Sequence, residues 1–129
     1  MVRTIVAIVA VFVGWEAVDF VVHGVLLKET YAATAALWRP EAEMKMGVML
    51  LAVFLAALAF VGIYQRIARD KGLVKGLEYG LWFGFAAGSM AYGTYAVMPI
   101  PYNMALTWFL ASLAHGLLGG ALVGAIVKE

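Results

Sequence analysis

The sequence predicts an all-α fold: a polytopic membrane four-helix bundle with both termini in the cytoplasm and a short interfacial segment between helices 1 and 2. Three observations predict it: composition, the spacing of the helix breakers, and the placement of lysine and arginine. Of 129 residues, 65% are apolar and only 13% are charged, and the mean hydropathy is +0.94. A soluble domain keeps about a quarter of its residues charged to meet water. The apolar residues fall into runs of about 20, the length that crosses a bilayer core. No alternating pattern marks a strand, and lipid could not satisfy an open sheet edge. The whole chain, 1–129, is expected to form a single four-span domain.

The first span is expected from about Thr4 to Leu27. It is longer than a signal-peptide core and holds two carboxylates, so it reads as a retained helix. It ends at KETYAATAALWRP, where Lys28, Glu29, Tyr31, Trp38 and Arg39 suit a headgroup region; a short interfacial helix is expected around ETYAATAALW. The second span is expected to open at RPEAEM, with Pro40 in its first turn and Glu41 and Glu43 at the positive end of its dipole. It continues to about Gln65. Gly72 in QRIARDKGLVKG stops the chain before a third span from Leu73 to Met98. PIPYN, with two prolines, turns it into a fourth span from Tyr102 to Val127. One side of this arrangement holds Arg3, Arg66, Arg69, Lys71, Lys75 and Lys128, and the other holds Lys28, Arg39 and Lys45. The positive-inside rule therefore puts both termini in the cytoplasm, with the inner membrane of a bacterium as the expected location.

Span three carries Gly76, Gly80, Gly84 and Gly88 at every fourth position. Span four carries Trp108, Ser112, Gly116, Gly120 and Gly124 at the same interval. Such tracks let two backbones approach closely, and the favoured account is a tight antiparallel hairpin of spans three and four. The competing account gives one track to a homodimer.

The functional signal is GWEAVDFVVHG, residues 14–24. Glu16, Asp19 and His23 are spaced i, i+3, i+7 and share one helical face. An ionised group at the bilayer centre costs roughly 2.5–3.5 kcal/mol on insertion scales, so this face should point at other helices. Counted from the outer ends, Glu16 lies about eleven residues deep and His115 about twelve, so their heights match. His23 lies roughly 12 Å further out. The expected cluster is Glu16, Asp19 and His115, with His23 and Tyr92 or Tyr95 leading outward, and Trp15 and Trp108 lining an apolar pocket. Ser89 falls between those levels.

The residue types admit several chemistries. A Glu–Asp–His chain suits ion or proton handling, linked to transport. A metal ion is a second candidate, with Glu16, Asp19, His23 and His115 as ligands for zinc or iron. Met44, Met46, Met49, Met98 and Met104 near the outer surface suit Cu(I) as thioethers, although methionine is also a common apolar filler. Haem fits badly, because the two histidines stand at different heights. A membrane enzyme working by acid–base chemistry on a lipid-like substrate is the first alternative function. An accessory subunit of a larger membrane complex is the second, in which these groups only fix the packing. The expected partners are the lipid bilayer and either a second copy or a membrane-complex partner. Absent cysteine excludes disulfides and thiolate sites, and a net charge of +1 gives no basis for nucleic-acid binding.

Overall fold

Long apolar runs without internal proline favour helix, and prolines and glycines between them set its limits. The computed structural model of the protein describes residues 1–128, and every regular element among them is helical. Five α-helices follow in order: α1 (Val2–Val21), α2 (Lys28–Ala33), α3 (Met46–Ile67), α4 (Leu73–Gly93) and α5 (Tyr102–Ile126). A π-helical turn, Val22–Leu26, extends α1, and single 3-10 turns occupy Ala35–Leu37, Glu41–Glu43 and Thr94–Ala96.

Three stretches are long and apolar enough to cross a membrane: Val2–Leu26, Met46–Ile67 and Tyr102–Ile126, with hydropathies of 2.3, 2.7 and 1.8. The α4 helix has 21 residues but not the same apolarity, since Lys75, Glu78 and five glycines fall within it. Two boundaries differ from expectation. The helix expected to open at Pro40 begins at Met46, because Met44 is extended (ψ 136°) and Glu41–Glu43 closes a separate turn on the Pro40 carbonyl. The third long helix ends at Gly93, and its chain continues through the turn at Thr94–Ala96 rather than to Met98.

Packing follows from side-chain size. All four of Gly76, Gly80, Gly84 and Gly88 are buried against α5. A Cβ on Gly80 would land on the Gly116 carbonyl, one on Gly120 would land on the Gly76 carbonyl, and one on Gly84 would lie 2.6 Å from the Ser112 carbonyl. Gly76 meets Gly120 and Gly124 while Gly88 meets Phe109 and Ser112, so the two helices run antiparallel. This is backbone-to-backbone contact over about four turns, which a methyl group would wedge apart.

The α5 helix has a second working face. Its Leu118 and Leu122 side chains cover Gly14 of α1, and its Gly119 receives the Trp15 indole. Trp15, Phe60, Tyr79 and Phe83 then pack together from α1, α3 and α4: Trp15 lies edge-on to Phe60 and stacked on Phe83, and the ring centroids of Phe60 and Tyr79 are 4.6 Å apart. Ala7, Val11, Ala57, Val61, Tyr64, Val123 and Val127 complete this core. A smaller core of Val22, Leu27, Ile100, Met104, Ala105 and Ala111 lies toward α2. Outward-facing positions stay apolar, including Val9, Val13, Leu51, Leu55, Leu110 and Leu117. That apolar exterior is the expected lining toward lipid rather than water.

The glycine track gives a direct test. Gly80→Leu should destabilise the protein by about 3 kcal/mol or more, because backbone blocks the added side chain. Gly93, also helical, has nothing within 4 Å of its absent Cβ. Gly93→Ala should therefore stabilise by roughly 0.4–1 kcal/mol. Thermal unfolding of both variants in one detergent checks the contrast.

Candidate functional site

The polar edge of α1 points at α5. Asp19 Oδ1 lies 2.8 Å from His115 Nε2, and both side chains are largely buried, at 26% and 20% exposure. His115 Nδ1 donates to the Ala111 carbonyl at 2.7 Å. A carbonyl can only accept, so this bond fixes a proton on Nδ1 and leaves Nε2 to Asp19. The Trp15 indole donates to the His115 backbone carbonyl at 2.7 Å and lies edge-on to its ring. The imidazole is thus held from both ends. One turn below Asp19, the Glu16 Oε1 atom is buried without any hydrogen-bond partner.

Toward α2 the arrangement continues through residues that periodicity does not reveal. In the π-helical turn, Leu27 N bonds to Val22 O at 2.8 Å, one residue beyond the α-helical partner. Such turns insert an extra residue and redirect side chains, often at functional sites. His23 sits in this turn with Nε2 3.8 Å from Asp19 Oδ1. Its Nδ1 lies 2.6 Å from the Tyr31 hydroxyl, which itself accepts from Trp108 Nε1 at 2.9 Å. The His23–Tyr31 contact holds one proton; when Tyr31 supplies it, the neutral His23 carries its own proton on Nε2, facing Asp19. Trp38 packs edge-on against both Tyr31 and Trp108, and donates to Thr34, whose hydroxyl returns to Thr30 O. That local network folds the segment back over the end of α1.

The structure therefore brings together Trp15, Asp19, His23, Trp108 and His115, with Glu16 beside them, and adds Tyr31. It does not bring in Tyr92 or Tyr95. Tyr92 pairs with the Tyr102 hydroxyl at 3.2 Å and Tyr95 packs on the same ring, while Ser89 bonds back to Phe85. The reason is that α5 stands between α4 and the polar edge of α1. Nor do the two tryptophans line one open pocket: Trp15 fills the core beneath His115, and Trp108 lies in the aromatic group near α2. Tyr31 carried only a headgroup signal in the sequence, because its partners lie across a π-helical turn and on a distant helix.

Among the described residues, no three His, Asp or Glu side chains converge to hold a metal ion. The set Glu16, Asp19, His23 and His115 is divided: Asp19 and His115 bond directly, while His23 turns its other nitrogen to Tyr31. The methionines do not gather either, since Met104 is fully buried in the apolar core while Met44, Met46 and Met49 are exposed. Comparison with protein-family models, with curated proteins and with solved structures yields no match.

Two measurements test that geometry. Burial pushes the Tyr31 phenol above its ordinary value of 10.0, and the Trp108 hydrogen bond works in the opposite direction. Tyr31 thus keeps its proton at every pH below its unfolded-state value and loses it only as pH rises through the higher folded value. Its ultraviolet titration midpoint should lie above that of free tyrosine, and Trp108→Phe should move it higher still. Trp15→Phe should cost about 1 kcal/mol in thermal unfolding, from the lost indole hydrogen bond.

Proposed function

We propose that this protein is an integral membrane protein of four spans that binds an ion or small molecule at Glu16, Asp19 and His115. The observation carrying this reading is the Glu16 oxygen, buried without a partner beside an Asp–His pair. Native structures leave few such atoms unpaired, and those that exist ask for an occupant or a reaction. The antiparallel contact of α4 with the apolar α5 from Gly76 to Gly88 supports α4 as the remaining span, despite its lower apolarity. Six cationic side chains at one end against three at the other support an arrangement with both termini in the cytoplasm.

The test is ligand-dependent stability in nanodiscs. Sodium, potassium, zinc, methylammonium and acidification would each be applied to the wild type and to Asp19→Asn. An occupant of this site at a hundred times its dissociation constant should stabilise the wild type by about 2.7 kcal/mol and leave the variant unmoved. Identical responses of the two proteins to every condition would end the proposal.

A further inference from the structure

We infer that the ion taken by this site is the proton, and that it reaches Asp19 and His115 from the end of the molecule that carries α2, through Tyr31 and His23. The inference rests on the binding role proposed above and names its ion and its direction of access.

The hydrogen-bond inventory supplies the first argument. His115 Nδ1 is committed to the Ala111 carbonyl, so the 2.8 Å contact between His115 Nε2 and Asp19 Oδ1 contains one proton. That proton makes either a carboxylate–imidazolium pair or a carboxylic acid facing a neutral ring. Without it, two acceptors would face each other at hydrogen-bond distance, an arrangement that must separate. The contact is therefore a loaded state, and unloading it pushes α1 and α5 apart at this level. A metal ion would have to break the same contact, and no third ligand stands ready among the described residues.

Access is the second argument. On the α2 side, the groups facing the pair are His23, 44% exposed, and the half-buried Tyr31 joined to it. On the opposite side the pair rests on Trp15, backed by Phe60 of α3 and Phe83 of α4. Below that layer α1 reads VRTIVAIVAV, polar only at its tip. The next hydroxyls in that direction are engaged, Tyr79 with the Phe60 carbonyl and Tyr64 with Gly72. The ionisable groups around the pair are Glu16 and His23 from α1 and Tyr31 from α2. Among the described residues, no hydrogen bond or ion pair reaches it from α3 or α4.

The transfer conserves atoms and charge. A hydronium ion gives a proton to the Tyr31 oxygen and leaves as water, while the Tyr31 proton passes to His23 Nδ1. The resulting His23 imidazolium releases its Nε2 proton across the 3.8 Å gap, through one bridging water, to Asp19 Oδ1, where His115 Nε2 shares it; exchange of the remaining His23 proton with water then restores the Nε2–H form. One proton enters, one is stored, and no electron moves.

The experiment uses the full chain with 15N-labelled histidine, reconstituted in uniformly oriented liposomes that allow the pH of each side to be changed separately. The His115 Nε2 signal should shift when pH falls on the α2 side and stay still when it falls on the other. His23→Leu should retain the Asp19–His115 signal yet slow its response by about a hundredfold, the scale of a lost proton-transfer group. A response from the opposite side overturns the direction of access while leaving proton binding intact. Silence from both sides overturns the proton itself. If a metal still stabilises the wild type in that case, the binding role survives; if nothing does, both readings fall together.

Discussion

The hydrogen bond between Asp19 and His115 sets the constraint around which the helices are arranged. An aspartate within an apolar helix has few tolerable neighbours, and an imidazole on a facing helix is one of them. Meeting it fixes the rotation of α1 and commits one face of α5. The opposite face of α5 is left for α4, and there the absence of side chains at Gly116, Gly120 and Gly124 lets the second contact form at backbone range. The polar pair and the glycine track are thus two sides of one helix.

The same arrangement sets an apolar layer on one side of the pair and polar groups on the other. Trp15 fills the space beneath His115 and hydrogen-bonds its carbonyl, so one residue both packs the core and closes the site from below. Aromatic rings suit that double role because they bury a large area while keeping one polar atom to satisfy. Above the pair, α1 departs from α-helical geometry at Val22–Leu26, and the chain returns as α2 with Tyr31 over His23. The π-helical turn is the device that lets a residue eight positions along the chain reach back to a helix it has already left.

These contacts also explain why some chemistries fit the residue types but not the structure. His23 and His115 both approach Asp19, yet each spends its second nitrogen elsewhere, on Tyr31 and on the Ala111 carbonyl. Two histidines so engaged do not present the free lone pairs converging on one point that a ligand shell needs. Tyr92 and Tyr95 match the depth expected for an outward path but lie beyond α5, where they pair with Tyr102. Depth along a helix is a one-dimensional coordinate, whereas function also depends on rotation about it.

Composition and run length were enough to determine an all-helical chain with membrane-length apolar segments, since these express local backbone and solvation preferences. The four-residue glycine intervals likewise announced close helix contact, and the spacing of Glu16, Asp19 and His23 announced a shared face, because helical periodicity alone sets both. At that level a hairpin of α4 and α5 is favoured over a homodimer, but periodicity alone does not assign the tracks to one interface. The tertiary structure decided that these two helices meet within one chain, that α5 screens Tyr92 and Tyr95 from α1, and that Tyr31 closes over His23. Those outcomes depend on which faces meet across long sequence separations and on a π-helical turn, and neither is encoded in the period of a single helix.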